Sequence, residues 1–590
     1  MEHTGRNEQR KRLLEVTQKK QKADTVFKNG KIVNVFTGEI LEEDVAVKDG
    51  IIAGIGKYEG SEEIDLQGAY LLPGLIDGHL HVESSMALPS VLSPLLLKHG
   101  VTSAIIDPHE IVNAAGKAGM DYMLKDAKEA ELDYYFMVPS SVPSCDFEVI
   151  GADRFEAEDM ADYLDNPRVL GLAETMRFED VMNQEARMQK KMDLFAGKRI
   201  DGHMPGLSKE KLQALHICGV QNDHEAASYQ GALNRLRNGI HLLIREGSQA
   251  RNLEDLLPGL LENGISLEGC SYCTDDKHLE DIVAEGTIDW CLQKAAKLGT
   301  PMLENIRMAT LNTARHYGLS QKGAIAPGYD ADFAVVKDLE SFEVLQTYKY
   351  GKKTDVSFQK AAAANPESLR DRVHLPDVSK DDFLASFHMQ DALSCVPGQL
   401  FTRRITPDED TIEDLLDEKG HLKNGWNFLW ALERYGKTGE HAGTLLKGFG
   451  IKNGALAASY AHDSHNVIAA GDNLDDLVKA IRTLQAIQGG FVLVQSGQEP
   501  ITVPLPAAGL MSDQPADALC QSIESMKAEL EKMEMPEGID PFGTLTFLSL
   551  PVIGEARLTP QGLFDVNSQT FLSRAKTGTD QQKPANRNEE

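Results

Sequence analysis

His79-Leu80-His81 closes the run Ala69-Tyr70-Leu71-Leu72-Pro73-Gly74-Leu75-Ile76-Asp77-Gly78. In a β-strand, residues i and i+2 leave on the same side, so two imidazoles project together, about 7 Å apart at Cα by strand rise. That is close enough for both to hold one metal ion. Further metal-capable residues end other apolar runs. Glu174 follows Val169-Leu170-Gly171-Leu172-Ala173, and a carboxylate in that place is costly unless paired or metal-bound. His203 lies in Ile200-Asp201-Gly202-His203-Met204-Pro205-Gly206, His224 in Gln221-Asn222-Asp223-His224-Glu225, and Asp275 in Tyr272-Cys273-Thr274-Asp275-Asp276. Each taken singly is more often structural than catalytic; in order behind an HxH pair they point to a metal centre. Three or four imidazoles with two carboxylates suit borderline divalent ions such as Zn, Mn or Fe(II). Six protein ligands exceed one tetrahedral site and leave room for two ions, which can acidify water and neutralise developing charge.

The surrounding pattern says what must carry these residues. From about 73 to 318, short apolar runs alternate with helical stretches: Ser103-Ala104-Ile105-Ile106, Tyr135-Phe136-Met137-Val138, Val169 to Ala173, then Gly219-Val220-Gln221. This alternation over roughly 250 residues has the size of a TIM barrel, whose chemistry lies at the C-terminal ends of its strands. A doubly wound open sheet would more often carry a glycine-rich phosphate turn after its first strand, and none appears. Residues 24–72 read as short strands separated by the turn dipeptides Asn29-Gly30 and Asp49-Gly50. Strands and turns return at Gly323 to Val336, so segments 24–72 and 319–354 are expected to form one side domain. Residues 355–385 are polar and contain proline, and read as a link to a separate α+β unit over 386–575. The tail 577–590 has no apolar anchor and is expected to be disordered. At the other end, 1–23 is a basic extension, a candidate amphipathic helix with Leu13, Leu14 and Val16 on its buried side.

Composition sets the function classes. The chain of 590 residues is 42% apolar and 25% charged, ordinary for a multidomain globular protein. A net charge of -30 argues against a nucleic-acid partner and favours a small-molecule role. No apolar run reaches the length of a membrane span, and the N-terminus lacks the apolar core of a signal peptide. Seven scattered cysteines suit a reducing cytoplasm better than a disulfide framework. Cys270-Ser271-Tyr272-Cys273 is a lone CxxC that reads as strand packing. A large acidic multidomain chain of this kind is expected to be a homo-oligomer.

The chain resembles the amidohydrolase superfamily, and within it the adenine deaminase family. The resemblance rests on Asp77-Gly78-His79-Leu80-His81-Val82-Glu83-Ser84-Ser85-Met86, Asp107-Pro108-His109-Glu110-Ile111, Gly171-Leu172-Ala173-Glu174, Asp201-Gly202-His203-Met204-Pro205-Gly206, Asp223-His224-Glu225, Arg245-Glu246-Gly247-Ser248 and Thr274-Asp275-Asp276-Lys277-His278. In the C-terminal half, Ala461-His462-Asp463-Ser464-His465-Asn466, Leu505-Pro506-Ala507-Ala508-Gly509 and Leu548-Ser549-Leu550-Pro551 also match. Ser141 stands where the family leads one to expect cysteine, and Lys277 where it leads one to expect arginine.

The resemblance implies an α/β fold: a metal-dependent hydrolase TIM barrel, a small β-sandwich side domain and a C-terminal α+β domain. It implies hydrolysis of free adenine to hypoxanthine and ammonia, with two divalent ions as cofactors, Mn(II) or Fe(II) ahead of Zn(II). His79 and His81 with Asp275 would hold the first ion, His203 and His224 the second, and Glu174 would bridge them. Asp275 is the candidate to move the proton of the attacking water to the leaving nitrogen. His109, Glu110 and Glu225 are unranked candidates to protonate the ring; Glu110, His278 and Ser84 are candidate substrate contacts, His278 being equally a surface histidine. The His462 and His465 segment follows a strand in another domain and reads more readily as structural than as a second metal or triad site, and it could equally shape the barrel mouth. Two rival readings remain: a cyclic-amide hydrolase of the dihydropyrimidinase or hydantoinase type, whose metals are bridged by a modified lysine, and a non-catalytic purine-binding relative. The H-x-E and P-C-x-x-C deaminase pattern fails, because Gly269 stands before Cys270 where proline is needed.

Overall fold

The computed structural model describes residues 2–575 except 153, 358–361, 363–366, 409, 410 and 534, so the tail expected to be disordered lies outside the described residues. Two compact units emerge: 1–108 with 123–141 and 156–360, and 109–122 with 142–155 and 361–590.

The first unit holds eight parallel strands: Leu75–Leu80, Val101–Ile106, Asp133–Val138, Val169–Leu172, Arg199–Ile200, Asn222–Asp223, His241–Arg245 and Cys270–Cys273. The first five pair in chain order as one sheet and the last three as another. Two seams join them into a ring. On one side the Gln221 N–H donates to Ile200 O at 2.9 Å. On the other, Leu80 bridges Asp275 in parallel, with the Asp275 N–H donating to His79 O at 2.9 Å and the His81 N–H to Asp275 O at 3.1 Å. The barrel expected from the sequence is therefore closed. Leu75–Leu80 is buried at all six positions, as a strand walled on both faces must be. Gly78 has a steric reason: a Cβ there would meet Tyr272 O at 2.8 Å. Helices such as Pro89–Lys98 and Leu253–Glu262 bury Leu92, Leu95 and Leu96, and Leu256, Leu257 and Leu260.

One strand is displaced from its expected place. Gly219 and Val220 still belong to the closing turns of the helix Lys209–Ile217, their N–H groups donating to His216 O and Leu215 O, so the ladder starts only at Gln221. The N-terminal helix Glu2–Thr17 also corrects an expectation. Leu13 and Val16, three apart, pack on Val26, Ala46 and Ala53, whereas Leu14 is 51% exposed.

The side domain is two facing sheets. One orders Ile51–Ile55, Val45–Lys48, Ala23–Lys28 and Gly60–Asp65; the other orders Lys352–Lys353, Val344–Lys349, Phe333–Val336, Tyr70–Pro73, Lys31–Asn34 and Glu39–Leu41. Asp49 and Gly50 both take positive φ, 51° and 76°, closing the hairpin between Val45–Lys48 and Ile51–Ile55. Phe27 meets Phe333 and Tyr348 edge-on, at 5.0 and 4.8 Å between ring centres, within a core that includes Ile32, Val47 and Leu71.

The second unit is built on an eight-stranded mixed sheet ordered Thr402–Ile405, Ala392–Cys395, His441–Lys447, Trp426–Leu432, Asn466–Gly471, Gly454–Ala461, Gly490–Gln495 and Ile501–Pro504. The helix Leu474–Ala486 buries Leu477, Ile481 and Leu484 in its core. Two allocations differ from the sequence reading. Val373, Leu375, Val378 and Phe383, in the segment read as a link, are buried in this core; polar neighbours mask their spacing. Residues 109–122 and 142–155, read as barrel, pack here as well. Gly151 N–H donates to Asn113 O at 2.9 Å, Asn466 Nδ2 to Val149 O at 2.9 Å, and the ring of Phe147 lies tilted against that of Phe564 at 4.7 Å.

Barrel and side domain share a buried charge network. Lys322 Nζ lies 2.7 Å from Asp133 Oδ2 and 2.6 Å from Asp332 Oδ2; Lys349 Nζ lies 2.6 and 2.5 Å from the same oxygens. Tyr350 Oη also donates to Asp133, at 2.8 Å. Removing one partner of a buried pair strands the other charge and costs about 3–5 kcal/mol. Asp133→Ala is therefore expected to lower the melting temperature clearly in differential scanning calorimetry; an unchanged melt would deny the network that role.

Candidate metal centre and active site

Every residue that the sequence marked as a metal ligand sits at or just beyond the C-terminal end of a barrel strand. His79 and His81 close the first, Glu174 follows the fourth, His203 the fifth, His224 and Glu225 the sixth, and Asp275 the eighth. Their polar atoms converge. His79 Nε2 and His81 Nε2 are 3.1 Å apart, and Asp275 Oδ1 lies 3.4 and 3.3 Å from them. Glu174 Oε2 lies 3.2 Å from His203 Nδ1 and 3.3 Å from His224 Nε2. Its Oε1 is 3.8 Å from His81 Nε2 and its Oε2 4.0 Å from His79 Nε2, so this one carboxylate spans both pairs of imidazoles. Rings of His79 and His224 stack at 4.5 Å.

The donor set fits cations. His81 Nδ1 pairs with the Asp107 carbonyl at 3.0 Å; a carbonyl only accepts, so Nδ1 carries the hydrogen and the Nε2 lone pair faces the cluster. Burial alone would push the carboxyls of Glu174 and Asp275 up. The imidazoles of His203 and His224 around the first, and of His224, His79 and His81 with Arg245 around the second, hold both well below the usual carboxylate range. Two ionised carboxylates kept out of water among imidazoles demand positive charge, which divalent cations supply.

Behind the ligands stand residues whose role sequence reasoning missed. Asp77, two before His79, accepts from the Thr274 N–H at 3.1 Å and Oγ1 at 2.5 Å; burial pushes its carboxyl up to about 7. Asp201, two before His203, accepts from Asn222 Nδ2 at 2.6 Å and Tyr317 Oη at 3.2 Å. Asp223, beside His224, accepts from the Met204 N–H at 2.7 Å and from the Arg235 guanidinium. The repeated Asp-Gly-His at 77–79 and 201–203 was the available signal. Ser140 Oγ donates to the Glu174 carbonyl at 2.6 Å, and Ser141, in the place of the expected cysteine, accepts from the Arg177 N–H at 3.3 Å. Asp275 itself holds a positive φ of 56°, uncommon outside glycine, which turns the chain so that its carboxylate faces the histidines.

Arg245, which ends the seventh strand, is the other omission. Its guanidinium grips Glu225 and donates to Asp275 Oδ2 at 2.9 Å. Burial would raise Glu225; Arg245, with His203 and His224, instead holds it far below the usual carboxylate range. Glu225 Oε1 faces His203 Nδ1 at 3.7 Å and His224 Nε2 at 3.3 Å. A charged residue ending His241-Leu242-Leu243-Ile244 was visible by the same strand-end rule that picked out Glu174.

The remaining expected residues fall as follows. Ser84 Oγ donates to Asp276. The His278 N–H donates to Ser248 Oγ at 2.8 Å, and its ring lies 3.8 Å from Glu280. Lys277, which stands where arginine was expected, is fully buried and pairs with Glu285 at 3.0 Å. Cys270 and Cys273 are buried in the last strand, and burial pushes the Cys270 thiol up to about 12, the setting of a packing residue. His109 and Glu110 belong to the second unit, where Glu110 meets Tyr460 and His462.

Residues 70–354 match the amidohydrolase family, and residues 399–570 match the adenine deaminase C-terminal domain. An adenine deaminase of Desulfitobacterium hafniense (strain Y51) is 42% identical over 567 residues, covering 95% of this chain and 98% of that one. An adenine deaminase of Bacillus subtilis (strain 168) is 40% identical over 580 residues, with 95% and 98% covered. The chain belongs to the adenine deaminase family. A crystal structure of an adenine deaminase aligns at 19% identity with a TM-score of 0.45, over 56% of this chain and 100% of that one. Among the described residues, no helix is long and apolar enough to cross a membrane.

Arg245→Met is expected to cost roughly 10–100-fold in metal affinity or turnover, the usual penalty for losing a partner that orients ligands. Chelator competition and steady-state kinetics measure it; if neither changes, Arg245 does not orient Glu225 and Asp275.

Proposed function

We infer that this protein hydrolyses free adenine to hypoxanthine and ammonia, using two divalent ions, Mn(II) or Fe(II) ahead of Zn(II). The observation that carries this reading is Glu174, a carboxylate that spans the two pairs of imidazoles in a chain whose adenine deaminase relatives run along 95% of it. Cyclic-amide hydrolases would need a lysine in that place. His79, His81 and Asp275 would hold one ion and His203 and His224 the other, with Glu174 placed between the two pairs of imidazoles. Divalent ions there supply Lewis acidity and water acidified towards neutral pH.

The chain's own residues divide the proton work. Asp275 turns Oδ1 towards His79 and His81 and gives Oδ2 to Arg245, so one oxygen is oriented while the other meets the reacting groups. It takes the proton of the attacking water and passes it towards the leaving amine. The water oxygen becomes the carbonyl oxygen of hypoxanthine, and the amine leaves as ammonia. Glu225, kept ionised beside Arg245, starts the reaction as an acceptor for a proton or a ring N–H, and not as the acid among the three candidates. Seven free thiols suit a reducing, cytoplasmic setting.

The test is direct. Protein loaded with Mn(II) or Fe(II) is given adenine, with adenosine and dihydrouracil in parallel, while ammonia and the purine absorbance are followed. Turnover of adenine alone is expected; hydrolysis of dihydrouracil without adenine turnover would overturn the substrate. Asp275→Asn is expected to lower turnover by about 10²–10⁴-fold, the range of a lost general base, while most metal stays bound. Near-wild-type turnover in that variant would remove Asp275 from proton transfer.

A further inference from the structure

The second unit contains a group of buried metal-capable side chains, of which the deaminase reading names only Glu110, as a candidate acid or substrate contact. His462 and His465 lie on the turn joining the antiparallel strands Gly454–Ala461 and Asn466–Gly471. Both are buried, and their ring centres are 5.6 Å apart. Glu110, from the distant start of the helical segment His109–Asp126, brings Oε1 to 3.4 Å from His462 Nδ1. One ligand atom each from Glu110, His462 and His465 lies within 4.8 Å of the others.

The turn is anchored by its backbone, which leaves the rings to face inward. Arg434 donates to the His465 carbonyl, Tyr435 Oη to the Ser464 carbonyl at 2.7 Å, and the His465 N–H to Ala461 O at 2.6 Å. Phe547 stacks on His462 at 4.1 Å, and Tyr460 stands edge-on to both rings at 5.2 and 5.3 Å. Tyr460 Oη also donates to Glu110. Within this packing, His465 is 0% exposed, and neither ring nitrogen has a hydrogen-bond partner among the described residues. A neutral imidazole carries one donor and one acceptor, and leaving both unmatched away from water is expensive. Coordination satisfies the acceptor. The local charge also suits a cation: Glu110 is joined by Asp463, whose Oδ1 lies 3.9 Å from both His462 Nδ1 and His109 Nε2.

We propose that Glu110, His462 and His465 form a third metal site, a mononuclear site for a borderline divalent ion such as Zn(II), lying wholly within the second unit. Two imidazoles and a carboxylate match that class of ion and leave a fourth position for water. Bound there, the ion ties the first turn of the helical segment at 109 to the hairpin turn at 462–465, a clip across some 350 residues of chain. Glu110 is on this reading a metal ligand of the second unit and not a substrate contact.

Zinc counting tests it. Metal-free full-length protein is reloaded with Zn(II) alone, gel-filtered, and its zinc measured against protein. Wild type is expected to hold three ions per chain. Glu110→Gln, His465→Gln and the double variant His462→Ala/His465→Ala are each expected to lose one, while His79→Ala/His81→Ala loses zinc from the barrel only. A wild-type count of two, or folded second-unit variants that keep the wild-type count, overturns the third site and leaves the barrel reading standing. Zinc unchanged in His79→Ala/His81→Ala would instead overturn the barrel reading alone. Circular dichroism selects the variants that retain their fold, and the wild-type count needs no variant.

Discussion

Two buried negative charges organise the first unit. Glu174 and Asp275 sit almost out of water, where an ionised carboxylate survives only with compensating charge at close range. The barrel aims imidazoles from three strand ends at the same small volume, with the Arg245 guanidinium behind, a donor set that fits divalent cations. Buried this deeply, neither carboxylate could stay ionised without such neighbours. The site and the ring closure therefore depend on one another. The hydrogen bonds that join the eighth strand to the first run between Asp275, His79 and His81 themselves.

Around this centre the structure repeats one device, an acid placed next to or two before a histidine of the candidate metal centre. Asp77, Asp201 and Asp223 each accept from groups on a different strand or helix, so each pins two elements together while fixing the loop that carries a ligand. Such braces turn flexible strand ends into rigid ones, which ligand geometry requires. The Lys322 and Lys349 network with Asp133 and Asp332 does comparable work between barrel and side domain, and the price is that each member is needed once the others are buried.

The second unit solves its own packing problem. It gathers 109–122 and 142–155 through backbone hydrogen bonds and aromatic contacts, and takes up apolar residues of 373–383 that look like linker in sequence. In it, the hairpin turn at 462–465 holds two imidazoles beside Glu110.

By itself the sequence determined the elements and the chemical inventory. Strand ends, turn dipeptides and the β/α alternation are local properties, because backbone preference and burial pattern act over a few residues; this is why His79, His81, Glu174, His203, His224 and Asp275 could be named from apolar runs that end in a ligand. Tertiary structure alone decided which atoms meet. That Arg245 joins Glu225 to Asp275, that Lys277 pairs with Glu285 inside the protein, that Leu14 faces outward while Leu13 and Val16 pack, and that His109 and Glu110 go with the second unit are outcomes of contact between segments far apart in the chain. A run of residues carries no record of its distant neighbours, and charge pairing and ligand convergence act through space.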